Sequence, residues 1–126
     1  MTIEKVTEIF KEVMYMDENE ALDVNKSLFL DYDMTSIDFI DFSFEIKKAF
    51  SLSAEPDDIW PINKMATMPE LYLAENKRWT EEGLKQINTI LACSGRPIVD
   101  DHAIELRFLY TFFTLKYVSE KVRELQ

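Results

Sequence analysis

The sequence is poor in the residues that tight turns, disulfides and catalytic sites most often use. It contains two glycines, four prolines, one cysteine and one histidine in 126 residues. Because tight turns often need glycine at positive φ, so few glycines argue against a turn-rich β fold. A single cysteine excludes an intrachain disulfide and favours a reducing compartment. Hydrophobic residues make up 47% of the chain, which argues against disorder. Helix is therefore the expected structure.

Long apolar segments are also lacking. The longest uncharged stretch near the C-terminus covers residues 108–115. A membrane-spanning helix needs roughly 20 apolar residues, so no membrane span is predicted. The N-terminal stretch MTIEKVTEIFKEV has no apolar run of the signal-peptide type. We therefore expect a cytoplasmic protein.

The charge is strongly negative and unevenly distributed. The formal net charge is −10, and residues 1–76 carry seventeen Asp or Glu against six Lys or Arg, whereas residues 77–126 carry seven against eight. An acidic body repels nucleic acid and anionic lipid surfaces, and it attracts basic protein partners. Acidity that merely keeps a surface soluble is the alternative, but the asymmetry between the two parts makes it less satisfactory.

Hydrophobic periodicity predicts an all-α fold of about four helices in residues 1–76 and two more in an extension over residues 77–126. The first helix covers the beginning of the chain, and after a long polar loop the second begins at or just before Ser36, capped by Thr35. A short helix starts near Pro56. Further helices follow Thr67, then Thr80 as far as about Cys93, and finally Asp100 or Asp101 as far as about Leu125, with a turn at Ser94–Pro97 before the last of these.

The candidates for metal binding and catalysis are weak. A calcium loop beginning at Asp31 would have Ser36 in place of the required glycine and Phe42 in place of the bidentate glutamate. A serine nucleophile needs a base, and the one histidine, His102, is far from Ser36 in sequence. Cys93 has no evident cationic activator. We predict no metal site, no catalytic residues and no enzymatic activity.

Ser36 is the most informative single position. A hydroxyl at a helix N-terminus faces unpaired N–H groups and the positive end of the helix dipole, so an attached phosphate is stabilised there. A serine that only caps the helix is the common alternative for an isolated residue in this setting. The residues on both sides have to decide between the two.

Those residues resemble the signature of acyl carrier proteins. Leu30-Asp31-Tyr32-Asp33-Met34-Thr35-Ser36-Ile37-Asp38 is similar to the family's Asp-Leu-Gly-X-Asp-Ser-Leu-Asp loop, and Phe39-Ile40-Asp41-Phe42 continues it into an acidic, aliphatic helix. The resemblance covers about residues 1–76, since Pro56–Ile62 and Met65–Leu71 are similar to the family's third and fourth helices. It implies that residues 1–76 form an acyl carrier domain and that residues 77–126 are a helical extension packed on or beside it.

The resemblance implies that Ser36 carries a covalent 4′-phosphopantetheine, whose thiol holds acyl groups as thioesters. The partners would be a phosphopantetheinyl transferase and acyl-loading and acyl-transferring enzymes of fatty acid or lipid synthesis, envelope lipids included. Asp38, Asp41 and Glu45 fall at i, i+3 and i+7 and so share one helix face, which is expected to dock basic surfaces of these enzymes. A monomer is expected. The alternatives are a non-acylated interaction module with a carrier-like fold, and a carrier of an amino acid or another small acid.

Two positions depart from the family pattern. Thr35 stands where the family usually has an aspartate that helps hold magnesium and coenzyme A during modification, and Asp33 stands where glycine is common. The aromatic residues of the extension are too numerous to face one core. They are predicted mainly to pack on the carrier body. Some of them are expected to enlarge a pocket that shelters the acyl chain between the helices, or to present a dimer or partner surface. The aromatic members of this group are Phe108, Tyr110, Phe112, Phe113 and Tyr117, and the aliphatic Val118 belongs with them.

Overall fold

Helices dominate the computed structural model, which describes residues 2–96 and 99–126. The α-helices are α1 (Thr2–Val13), α2 (Ser36–Ala49), α3 (Pro56–Ile59), α4 (Ile62–Met65), α5 (Glu81–Leu91), α6 (Leu106–Leu109) and α7 (Leu115–Leu125). Short 3-10 segments follow α5 and α6, at Ala92–Ser94 and Tyr110–Phe112. Within the described ranges the strands are limited to one antiparallel pair, β1 (Tyr72–Leu73) and β2 (Arg78–Trp79). The prediction of an all-α fold is confirmed.

The core lies between the two ends of the chain. Helix α1 packs against both α2 and α7, and α3 packs against α2 and α7. The buried stripe of α1 consists of Val6, Ile9 and Phe10, whose spacing places them on one helix face. The ring of Phe10 meets the ring of Phe42 from α2 edge-to-face, with 5.6 Å between the ring centres. The C-terminal helix is thus an integral wall of the core.

The loop between α1 and α2 is held by the C-terminal part of the chain. Leu28 N–H donates to the Phe113 carbonyl (2.9 Å), and Ser27 Oγ donates to the Tyr110 carbonyl (2.7 Å). Further along, Lys116 N–H donates to the Val24 carbonyl (3.1 Å). Because buried backbone groups need partners, these bonds fix the path of the loop that leads to Ser36.

The helix predicted after Thr67 is not formed. The Thr67 hydroxyl instead donates back to the Lys64 carbonyl (2.6 Å), and the chain turns into β1. The reason is tertiary: Trp79 on β2 is 1% exposed, packs on Tyr72, and donates its indole N–H to the Ile104 carbonyl (3.1 Å). Burial of this indole favours an extended pair over another helical turn. The predicted boundary between residues 76 and 77 lies in the turn of the hairpin and stays a prediction.

The last predicted helix is broken into two. The chain forms α6, one 3-10 turn and then α7, with Phe113 in a non-helical conformation between them (φ −83°, ψ 85°). The Thr114 hydroxyl accepts from Tyr117 N–H and caps α7 (3.0 Å). The break lets Phe113 insert a fully buried ring into the core while its carbonyl binds Leu28. Helical periodicity alone does not reveal such a break.

Helix α5 agrees with its prediction. Thr80 caps it by accepting from Gly83 N–H (3.0 Å), and a 3-10 turn continues it to Ser94. A Cβ at Gly83 would lie 2.1 Å from the Leu71 carbonyl oxygen, so only glycine permits this close approach to the hairpin. Gly95 turns the chain at φ 72°, and Pro97, the end of the predicted turn, lies outside the described residues.

Candidate functional site

The candidate site lies where the acidic loop joins α2. Thr35 has extended backbone and caps the helix: its Oγ1 accepts from Asp38 N–H (3.1 Å), and the Asp38 carboxylate accepts from Thr35 N–H (3.0 Å). This reciprocal pair is a capping box, which stabilises the first turn of a helix. The sequence-based assignment of Thr35 as the cap is confirmed.

Ser36 is the first residue of α2, and its side chain is exposed. In the described part of the chain, neither the Ser36 nor the Ile37 backbone N–H has an acceptor, as is usual in the first turn of a helix. Since Thr35 caps the helix, the hydroxyl of Ser36 is not needed for that purpose. It faces solvent beside two unpaired donors and the positive end of the helix dipole.

The acidic loop before Ser36 is held in place by hydrogen bonds between its own residues. The Asp31 carboxylate accepts from Ser27 N–H (2.7 Å), and the Tyr32 hydroxyl accepts from Asp23 N–H (3.0 Å). Met34 is 5% exposed and donates its N–H to the Leu28 carbonyl (3.0 Å). Asp33 lies in the left-handed region at φ 56°, a conformation that glycine adopts at least cost and aspartate tolerates. This conformation explains why glycine suits the position.

Five serines lie between residues 4 and 64, and their settings differ. Ser27 and Ser43 are 3% and 2% exposed, and are therefore inaccessible to a modifying enzyme. Ser51 and Ser53 are exposed but follow the C-terminal end of α2, where the helix dipole opposes a negative group. Ser36 alone of the five combines exposure with a helix N-terminus.

The three predicted docking residues share the exposed side of α2, although their environments are unequal. Asp41 is exposed, Glu45 pairs with Lys48 at 3.7 Å, and the Asp38 carboxylate is engaged in the capping box. Next to them lie three apolar residues at helical spacing, whose exposure was not predicted from the sequence. Ile37, Ile40 and Phe44 are 72%, 55% and 58% exposed. The sequence does contain a signal of this exposure, because α2 carries two apolar stripes and one core can cover only one of them.

A groove of about 950 Å³ opens beside Ser36. The side chains of Phe29, Met34 and Phe39 form its apolar wall, and Arg107 and Tyr110 contribute to it from the C-terminal part of the chain. Some aromatic residues of the extension were expected from the sequence to enlarge an acyl pocket, but the sequence did not locate this groove or place Arg107 in it. Residues separated by about 70 positions meet only in the folded chain.

Comparison with protein families identifies the N-terminal half. Residues 4–64 match the model of the phosphopantetheine attachment site. We call these residues, which are similar to a phosphopantetheine attachment site, the phosphopantetheine-attachment domain. Such a domain is the attachment site for covalent 4′-phosphopantetheine, and the resemblance to acyl carrier proteins is thereby confirmed. No match to a curated protein or to a solved structure was found.

The chemistry of the phosphopantetheine-attachment domain fits its group. A phosphodiester needs a hydroxyl to carry it and donors or positive charge near it, and an exposed serine with two unpaired N–H groups provides both. Domains of this kind generally act as carriers without catalysing reactions themselves. None of the helices in the described part of the chain has the length and hydropathy that a membrane crossing requires.

The other residues considered for chemistry have structural partners. His102 Nδ1 donates to the Trp79 carbonyl (3.0 Å), and its Nε2 lies 3.2 Å from Glu81. Burial, reinforced by a hydrogen bond to the Glu124 carboxylate, raises the pKa of the Cys93 thiol to about 11, so the thiolate is scarce near neutral pH. Residues 2–96 and 99–126 contain no group of three His, Cys, Asp or Glu side chains placed to hold a metal.

Proposed function

We propose that Ser36 is the residue of the attachment domain that carries 4′-phosphopantetheine, and that the protein delivers acyl groups to enzymes of fatty acid or lipid synthesis. The observation that carries this assignment is the position of Ser36: it is the exposed serine of residues 4–64 at the N-terminus of a helix whose cap is another residue. When bound, the group supplies a thiol that holds an acyl group as a thioester.

The residues around Ser36 contribute positioning and electrostatics. The capping box of Thr35 and Asp38 holds the first turn of α2, so the unpaired N–H groups of Ser36 and Ile37 keep a constant direction towards an attached phosphate. The tied loop keeps the serine at the surface, where an arm has room to swing. No reacting side chain is needed on the carrier itself.

We further propose that the exposed side of α2 is the docking surface for the transferase and the acyl enzymes. Asp38, Asp41 and Glu45 supply negative charge, which favours basic partner surfaces. The exposed Ile37, Ile40 and Phe44 supply apolar contact beside that charge. Large apolar side chains in water next to an attachment point are better explained by a partner than by packing.

The test is modification by a transferase of broad specificity with coenzyme A, followed by intact mass. The parent should gain the mass of one phosphopantetheine, and Ser36→Ala should gain none. Ser53→Ala is the matched control, because Ser53 is also exposed and lies in the same domain. Since Thr35 caps α2, Ser36→Ala should change the free energy of unfolding by less than about 0.5 kcal/mol. A Ser36→Ala protein that is still modified would overturn the assignment.

The alternative is an unmodified interaction module with a carrier-like fold. It is favoured by one observation: Thr35 replaces the aspartate of the family pattern, and the nearby Asp38 carboxylate is already engaged in the capping box. A magnesium ion brought by the transferase would thus find fewer available carboxylates. An unmodified parent protein under conditions that fully modify an acyl carrier protein would favour this alternative. A carrier of an amino acid or another small acid would instead be modified normally and differ only in its cargo.

A further inference from the structure

The C-terminal part of the chain forms one side of the groove beside Ser36. Tyr110 is fixed there by two contacts: its hydroxyl donates to Asn63 Oδ1 (3.1 Å), and its carbonyl accepts from Ser27 Oγ (2.7 Å). Its ring lies 4.9 Å from the ring of Phe29, which in turn lies 5.7 Å from the ring of Phe39. The two ends of the chain thus build one aromatic surface.

The space behind this surface is filled. Trp60, Phe113 and Tyr117 are at most 1% exposed, and their rings are in mutual contact at 5.1 to 5.7 Å. The Phe113 ring also touches both Phe29 and Phe39. Because close-packed rings leave no room without rearrangement, an apolar chain that enters the groove lies on the aromatic surface and does not pass deeper.

The charge of the groove is also divided between the two ends of the chain. Glu55 and Asp57 line it from the attachment domain, and Arg107 is the basic residue that lines it. Arg107 is exposed, and among the described residues no carboxylate lies within ion-pair distance of it. A phosphodiester on Ser36 would stand in an acidic neighbourhood, and a guanidinium is the side chain that best pairs with phosphate oxygens.

We infer that the C-terminal segment from Arg107 to Tyr110 is a resting site for the phosphopantetheine arm. This inference rests on the proposed attachment at Ser36. Arg107 pairs with the phosphodiester, and the apolar part of the arm lies across Tyr110, Phe29 and Phe39. This segment then belongs to the carrier site although it lies outside residues 4–64.

The experiment uses the full chain loaded with phosphopantetheine that bears no cargo, so the phosphodiester is the one anion that the arm brings. Intact mass first establishes loading in the parent, Arg107→Gln, Arg107→Lys and the matched control Arg78→Gln. Arg78 is exposed on β2 and does not line the groove. Circular dichroism checks folding. Amide chemical shifts are then compared before and after loading, and the rate of alkylation of the arm thiol is measured by mass spectrometry of peptides, which separates it from Cys93.

In the parent, loading should shift the amides of residues 107–110 as well as those near Ser36. Arg107→Gln should remove the shifts at 107–110 and speed alkylation by about two- to fivefold, the range open to an exposed charge pair. The amide shifts and the alkylation rate of Arg107→Lys should lie between those of the parent and Arg107→Gln, and those of Arg78→Gln should match the parent. High salt should reduce the difference in alkylation rate between the parent and Arg107→Gln. A loaded parent with unshifted amides at 107–110, or equal alkylation in Arg107→Gln and Arg78→Gln, overturns the resting site alone. Failure to gain mass overturns the attachment at Ser36 and the resting site with it.

Discussion

Helices α2 and α7 are similar in length but opposite in burial. Helix α7 buries six of its eleven residues, among them the polar Ser119 and Lys121, whereas α2 buries three of fourteen and leaves Ile37, Ile40 and Phe44 in solvent. The apolar residues of α7 are covered because they have a core to face. Those of α2 are divided between the core and water, so α2 leaves an apolar surface exposed while α7 stabilises the body that presents it.

The comparison shows how the two halves depend on each other. Residues 4–64 carry the attachment site, but the loop before Ser36 bonds to Tyr110, Phe113 and Lys116. The Tyr117 hydroxyl donates to the Ile59 carbonyl (2.8 Å), which joins α7 to α3. The C-terminal helices thus complete the core of the attachment domain.

The largest expected effect concerns the buried side of α7. Tyr117→Ala removes a fully buried ring and its bond to Ile59, and should lower the free energy of unfolding by about 3–5 kcal/mol. Phe44→Ala on α2 should change it by less than about 0.5 kcal/mol, because that ring is more than half exposed. Urea denaturation monitored by circular dichroism measures both values. Equal losses of unfolding free energy in the two variants would show that α7 does not stabilise the fold more than the exposed side of α2 does.

The two threonine caps provide a second comparison. Thr35 and Thr114 cap α2 and α7 in the same way, but Thr35 is exposed and Thr114 is 2% exposed. Thr114→Asp buries a charge and should cost about 2 kcal/mol or more. Thr35→Asp keeps an equivalent cap and should be within about 0.5 kcal/mol of the parent.

Thr35→Asp should in addition speed phosphopantetheine transfer, since it restores the family's carboxylate beside Ser36. Rates are measured with one transferase at fixed magnesium and coenzyme A concentrations. A slower or unchanged rate would mean that this loop meets the transferase in another way.

Charge reversal tests whether the exposed side of α2 docks the transferase. Changing Asp41 and Glu45 to Lys should slow modification about tenfold at low salt, chiefly through association, because electrostatic steering acts on the encounter rate. The difference should shrink at high salt. The control changes the exposed Glu4 and Glu8 of α1 to Lys, which alters net charge equally. Identical rates in the two double variants would exclude α2 as the docking surface.

The smallest expected effect concerns the turn before Ser36. Asp33→Val should lower the free energy of unfolding by about 1 kcal/mol, since a β-branched residue is strained at the observed φ of 56°. Asp33→Gly should be neutral or slightly stabilising, because glycine adopts this conformation without strain. Denaturation midpoints of the three proteins give the order. A valine variant as stable as the glycine variant would show that the left-handed conformation is not required.

Much of the site could be predicted because it depends on neighbouring residues. The cap at Thr35, the position of Asp38 in the first turn and the start of α2 at Ser36 all follow from contacts three residues apart. The same local logic placed Thr80 at the start of α5. The same local rules gave the wrong structure where a distant contact competes. Burial of the Trp79 indole favours a hairpin in place of the predicted helix, and the insertion of Phe113 into the core interrupts the last predicted helix.

The sequence by itself therefore determined the helical class, the capped serine and the family signature, because short-range hydrogen bonds and side-chain periodicity encode them directly. The tertiary structure decided which of the two apolar stripes of α2 faces water, and it brought Arg107 and Tyr110 to the groove beside Ser36. These features depend on how one core volume is shared among α1, α2, α3 and α7. Packing of that kind is settled only when residues far apart along the chain meet.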